Sequence, residues 1–168
     1  MVARPLEAVS RVNELTMGSL MEKPYRPCVV AVIQNEEGLL LAGERADLTG
    51  SWQLPQGGID PGETATVAVL RELHEEIGTS KLSILKHHAE WIRYNFPPEF
   101  AKGRMAEWAG QEQQWFLMKF DPGEVAHLEL SEGEFSSLKW ISPRELLEGI
   151  VHWKREAYQI GLSTFGLL

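Results

Sequence analysis

The chain has 168 residues, 43% of them hydrophobic and 24% charged, and carries a net charge of −8. That length suits one domain with its own core and is short for two, and so acidic a surface argues against a general DNA or RNA binder. No apolar run reaches the roughly 18 residues that a membrane helix needs, and a single cysteine, Cys28, excludes an internal disulfide and a multi-cysteine zinc site.

Residues 1–20 are expected to be an extension to a single domain spanning 21–168. Leu6, Val9, Val12 and Leu15 have loose helical spacing, so a short appended helix and a flexible tail both remain open. The stretch lacks the apolar core of a secretory signal, and Glu7 and Glu14 argue against a transit peptide. Lone-cysteine usage fits a reducing compartment, so a cytoplasmic location is expected, with no membrane association.

Pro24 and Pro27 punctuate the start of the domain. CVVAVIQ (28–34) and LLLAG (39–43) flank the turn Asn35-Glu36-Glu37-Gly38 and predict a hairpin. Gly50, Pro55, Gly57, Gly58, Pro61 and Gly62 predict a long loop, interrupted by a short strand near Trp52–Leu54. Thr64 can cap a helix that runs to about Ile77, with Gly78 placed to end it. Strands follow within 81–96 and over 113–120, separated by a surface loop over 97–112. A strand is predicted at 136–142, then a short helix opened by Ser142 and Glu145 as a capping box, then a last helix over about 151–162. Trp91, Trp115 and Trp140 are assigned to the core. Strands and helices interleave without repeats, which predicts one α/β domain.

The helix over 65–77 poses the chemical question. Leu70, Leu73 and Ile77 share one side, while Glu72, Glu75 and Glu76 occupy an arc of about 100° turned away from it. Like charges at this spacing repel by a few tenths of a kcal/mol per pair. The arc is therefore either a solvated face or the seat of something positive. Oxygen-only ligands suit hard cations, and Mg²⁺ or Mn²⁺ are the usual choices where phosphate is also bound.

Gly57, Glu63, Arg71, Glu72, Glu75, Glu76 and Gly78 stand in the pattern G-x5-E-x7-R-E-x-x-E-E-x-G. Seven specified positions give a chance match on the order of 10⁻⁸ per start. The pattern resembles the signature of the Nudix hydrolases. That resemblance implies a mixed β-sheet sandwiched between α-helices, and hydrolysis of a phosphoanhydride by in-line attack of water. It also implies Mg²⁺ (or Mn²⁺) held by Glu72, Glu75, Glu76 and the Gly57 carbonyl. Arg71 would orient a carboxylate through a bidentate pair, and Glu76, followed by Glu75, would be the general base. Thr79 departs from the usual bulky aliphatic residue at its position.

YRPCV (25–29), SWQLPQGGIDPGE (51–63), WIRYNFPPE (91–99), GQEQQWFL (110–117), EFSSLKWIS (134–142) and WKREAY (153–158) are similar to one branch of that family. It comprises bacterial RNA pyrophosphohydrolases and plant-type asymmetrical diadenosine tetraphosphate hydrolases. By that resemblance Arg26 contacts phosphate, Tyr94 lies near the phosphates and Glu134 adds a metal ligand. Ser51, Val151, Trp153 and Lys154 line a nucleobase or phosphate pocket. Read on residue type alone, the alternatives are a surface charge for Arg26, part of a solvated acidic loop for Glu134, and core residues for Tyr94 and Trp153. Two departures stand out: Gln114 replaces an expected lysine, with Glu112 nearby, and Ala46 sits where some relatives carry arginine beside Arg45. Both would remove a positive contact from a polyphosphate.

The expected substrate is a 5′-polyphosphorylated nucleoside, either a triphosphorylated RNA end or a dinucleoside polyphosphate. The alternatives are a mononucleotide or nucleotide-sugar hydrolase and a non-catalytic nucleotide sensor. Relatives tend to begin just before the Tyr-Arg-Pro element, which makes Met21 a candidate functional start.

Overall fold

A computed structural model of the protein describes residues 23–168. The expected extension over 1–20, its helix-or-tail alternatives and the start at Met21 lie outside the described residues. In chain order the elements are β1 (Tyr25–Ile33), β2 (Leu40–Arg45), β3 (Trp52–Gln53), β4 (Gln56–Gly58), α1 (Ala65–Ile77), β5 (Leu82–Asn95), β6 (Gly110–Phe120), β7 (Phe135–Ile141), α2 (Pro143–Gly149) and α3 (His152–Thr164).

The strands form two sheets, a four-stranded one ordered β4-β1-β6-β5 and a three-stranded one ordered β3-β2-β7. In the first, β1 and β6 run parallel and the other pairs antiparallel. The expected β1–β2 hairpin is corrected here. The turn forms, with Asn35 Oδ1 accepting from the backbone of Glu37 and Leu39 at 3.0 and 2.9 Å, but the strands share only the Gln34–Leu40 bridge before parting into different sheets. From Cys28 to Val30 β1 has both edges occupied, by β4 and β6, so β2 meets it only at the far end. The strand that takes the contested edge, Gln56–Gly58, lies in the segment read from sequence as loop.

Alternation along β1 and β6 sends side chains to opposite faces of the sheet. Val29, Ala31, Ile33, Phe116 and Met118 pack against Ala68, Val69, Leu73 and Ile77 of α1. On the other face Val30, Val32, Trp115 and Leu117 pack against Ala157, Tyr158 and Leu162 of α3. The four-stranded sheet is thus sandwiched between helices, as expected. Of the three tryptophans assigned to the core only Trp115 is buried; Trp91 and Trp140 are 41% and 38% exposed. Among the described residues no helix is long and apolar enough to cross a membrane.

Local signals placed the helix that matters. Thr64 caps α1 by accepting from the backbone N–H of Val67 at 3.2 Å, and Gly78 ends it at φ 77°. Ser142 caps α2 by accepting from Glu145 N at 3.1 Å. Thr79, which departs from the family pattern, is buried, and its hydroxyl accepts from Lys81 N at 3.1 Å, turning the chain out of the helix.

Candidate active site

The glutamates of α1 do not form a solvated face. Glu72 and Glu76 are 9% and 1% exposed, because α1 sets them against β4 and the glycine turn. Gly57 makes this possible: a Cβ there would collide with the Glu72 carboxylate. Gly58 does the same for a cation, since its Cβ would lie 2.5 Å from Arg26 Nη2. The Gly-Gly pair therefore lets an anion and a cation reach one backbone from different sides.

Arg71 organises the acidic wall. Its guanidinium donates to both oxygens of Glu63 at 2.8 Å, to Oε1 of Glu72 at 2.9 Å, to Oε1 of Glu75 at 3.2 Å and to the Gly58 carbonyl at 2.8 Å. Glu72 and Glu75 each keep their second oxygen outside this grip. Glu76 Oε2 accepts from the backbone N–H of Gln56 at 3.1 Å. The segment between β6 and β7 closes over the helix end, His127 N donating to Ile77 O and Glu132 N to Glu75 O, both at 2.7 Å. That tether delivers Glu134, which comes within hydrogen-bonding reach of Glu76.

Burial dominates the electrostatics. It pushes Glu72 up to about 7, against the opposing pull of Arg71. It also lifts Glu76 well above the ordinary carboxylate range, an effect that the nearby Glu134 reinforces. Glu63, gripped by Arg71, is held down at about 2. Desolvation lowers Lys154, on the opposite wall, to about 8.

A cleft of about 560 Å³ joins these groups. It is lined by Gly57, Glu72, Glu75, Glu76 and Glu134 together with Arg26, Arg104 and Lys154. These three cations make no ion pair among the described residues. Tyr94 also lines it.

Arg71 stands behind the wall. Ser51, Val151 and Trp153 do not line the cleft; Trp153 packs on Phe100, itself a lining residue, at 5.8 Å between ring centroids. Sequence reading missed Arg45, Gln53, Gln56, Gln111 and Arg104 as lining residues. Arg104 rides on a short 3₁₀ turn, Gly103–Met105, in a glycine- and proline-punctuated loop, where no periodicity marks it. Gln114, expected to cost the polyphosphate a cation, does not line the cleft. Its Oε1 meets His87 Nε2 at 2.6 Å on the α1 face of the sheet, so the replaced lysine removes no cation from the cleft. Ala46 does line it.

The residues fit a divalent cation. Clustered carboxylates whose mutual repulsion and burial a cation would relieve, a glycine cradle shaped to one of them and an oxygen-only donor set suit a hard ion. In this arrangement no three His, Cys, Asp or Glu side chains among the described residues converge on one point.

A family model described as NUDIX domain matches residues 24–159. The chain belongs to the Nudix family. It is 40% identical over 148 residues to the RNA pyrophosphohydrolase of Cereibacter sphaeroides strain KD131, covering 84% of this chain and 91% of that protein. It is 39% identical over 158 residues to Nudix hydrolase 26, chloroplastic, of Arabidopsis thaliana, covering 88% and 73%. The E. coli dihydroneopterin triphosphate pyrophosphohydrolase shares the Nudix fold with a TM-score of 0.62 at 18% identity, covering 84% of this chain and 99% of that one. As a Nudix hydrolase the protein acts on phosphoanhydride bonds, and divalent-cation dependence is general to the family.

Proposed function

We propose that the protein is a Mg²⁺-dependent pyrophosphohydrolase (Mn²⁺ substituting) that removes pyrophosphate from triphosphorylated RNA 5′ ends. The observation that carries this reading is one cleft lined both by three cations that make no ion pair among the described residues and by the carboxylates of Glu72, Glu75, Glu76 and Glu134. A polyphosphate needs both walls: cations to hold its terminal charge, carboxylates to seat the counter-ion of the reacting phosphate. RNA is chosen over a dinucleoside polyphosphate on the names of the 40%-identical relatives and on the cleft keeping its cations despite Gln114.

Glu72, Glu75, Glu76, Glu134 and the Gly57 carbonyl would hold the metal. When bound, it supplies charge neutralisation of the phosphate oxygens and lowers the pKa of water. The residues do the rest. Arg26 and Lys154 draw the phosphate chain against the acidic wall and orient it in line. Arg71 keeps Glu72 and Glu75 in fixed rotamers through one oxygen each. Glu76, on the acidic wall, takes a proton from the attacking water. The water oxygen bonds to phosphorus, the bridging P–O bond breaks, and pyrophosphate leaves with the electron pair. Cys28 is buried and free, in keeping with a reducing compartment, and we place the enzyme in the cytoplasm.

The test is a contest at equal enzyme concentration among a short triphosphorylated RNA, diadenosine tetraphosphate and a mononucleotide triphosphate, read as kcat/KM. RNA should be processed fastest, with pyrophosphate or phosphate released only when Mg²⁺ is present. Faster turnover of either competitor would overturn the assignment, and no turnover of any would return the chain to the class of nucleotide sensors.

A further inference from the structure

One polar feature inside the core is not used by the chemistry above. Arg26, Gln111 and Tyr94 are direct cross-strand partners on β1, β6 and β5, so they form one row on the face that lines the cleft. Below that row lies Gln113, 0% exposed, and below it Trp115, also 0% exposed. Two hydrogen bonds connect the three: Trp115 Nε1 donates to Gln113 Oε1 at 3.2 Å, and Gln113 Nε2 donates to Gln111 Oε1 at 3.3 Å.

The direction of this ladder is set at its buried end. An indole N–H can only donate, so Gln113 must turn its oxygen to Trp115. Its amide nitrogen then faces Gln111, and a buried N–H₂ left without an acceptor would be strongly unfavourable. Gln111 must therefore turn its own oxygen inward. The amide nitrogen of Gln111 is left facing the cleft. Amide orientation, ordinarily a free choice of two, is decided here by a tryptophan two steps away.

We propose that Gln111 is a substrate-positioning residue whose N–H₂ group donates to a phosphate oxygen between Arg26 and Tyr94, with Gln113 and Trp115 as the residues that hold it in that orientation. This rests on the reading of the cleft as a polyphosphate site. A neutral donor suits the place. Its cross-strand neighbour Arg26 already brings a positive charge to that row, and an amide binds phosphate oxygen without adding more. The ladder also removes the rotational freedom that an isolated glutamine would lose on binding.

The experiment uses the full chain with Mg²⁺ and imidodiphosphate, the nonhydrolysable P–N–P analogue of pyrophosphate. The side-chain amide pair of Gln111, identified by its loss in Gln111→Leu, is followed in ¹⁵N spectra of the wild type during titration. It should shift and saturate at the concentrations that inhibit hydrolysis. Gln111→Leu and Gln111→Glu should raise KM for triphosphorylated RNA about tenfold with kcat within about twofold of wild type, the glutamate the more severe; Tm should hold in Gln111→Glu, which keeps an acceptor for Gln113, and fall in Gln111→Leu, which does not. Gln113→Leu, which frees Gln111 to rotate, should raise KM about threefold; should that variant not fold, the wild-type titration still decides. Inhibition without movement of the Gln111 amide, or an unchanged KM in Gln111→Leu, overturns the inference alone. Failure of imidodiphosphate to inhibit the wild type overturns the polyphosphate reading and this inference together.

Discussion

Arg71 and Glu63 meet as two forks. Nε lies 2.8 Å from one carboxylate oxygen and Nη2 lies 2.8 Å from the other. Glu63 ends the glycine turn and Arg71 sits in the second turn of α1, so this pair fixes the angle at which the turn meets the helix. The remaining donors of Arg71 reach Glu72, Glu75 and Gly58 O. A single guanidinium thus registers turn, helix and two carboxylates against one another. Lysine, with a point charge and no fork, could make only part of that set. Arg71→Lys is expected to lower kcat at least tenfold while lowering Tm by only about 2–4 °C, checked by steady-state kinetics and calorimetry on the same preparation.

Gly57→Ala separates catalysis from folding. Gly57 is not among the glycines with positive φ, so alanine fits the backbone. Its methyl group, however, would occupy the place of the Glu72 carboxylate. That group is the end of a flexible side chain and can swing aside. Expected are a Tm within about 2 °C of wild type and a kcat reduced by two orders of magnitude or more. A crystal structure of the variant should show Glu72 displaced.

Glu76→Gln and Glu75→Gln are expected to lower kcat by about 10²–10⁴-fold while the circular dichroism spectrum stays native. Glu76→Gln should also be at least as thermostable as wild type in the absence of metal. It removes a buried carboxylate whose ionised form burial penalises. Near-normal turnover in both variants would remove the helix from the mechanism.

The pH dependence of stability carries the metal prediction. Glu72 is raised from 4.5 to about 7, and Glu76 in the same direction. A carboxyl with a raised folded pKa contributes stability that is full below the unfolded value and lost as pH rises through the folded one. For Glu72 the loss is on the order of 3 kcal/mol, spread between pH 4.5 and about pH 7. A cation bound to the ionised carboxylates reverses it. Scanning calorimetry with EDTA should show Tm falling across that window, and Mg²⁺ should raise Tm markedly at about pH 8 and hardly at about pH 5.

Lys154 titrates the other wall. Burial lowers it to about 8, so it loses its charge just above neutrality. KM for a polyphosphate should rise as pH passes 8, and Lys154→Met should show a raised KM that no longer depends on pH there. Stability runs the opposite way to affinity. A lysine with a depressed folded pKa contributes stability above the unfolded value of 10.5 that is lost as pH falls through 8, so Lys154→Met should be the more stable protein at neutral pH.

By itself the sequence determined what is local. Caps, glycine stops and apolar periodicity depend on residues within a turn or two of one another, so α1 and its three glutamates, the capped α2 and the long strands were all legible from Thr64, Gly78, Ser142 and the alternating runs. Spacing also set Gly57, Glu63 and Arg71 in register with that helix, since they lie close in the chain. Only the tertiary structure decided the rest. It moved β1 and β2 into different sheets, with β4 taking the edge of β1 over Cys28–Val30 opposite β6. It buried Glu72 and Glu76 rather than wetting them, turned Gln114 away from the cleft toward His87, and brought Arg104, Glu134 and Lys154 from three distant segments to face one another. Those placements rest on which edges, faces and loops meet. Pairing between remote segments is governed by packing and closure of the whole chain, which leaves no periodic trace at the residues it joins.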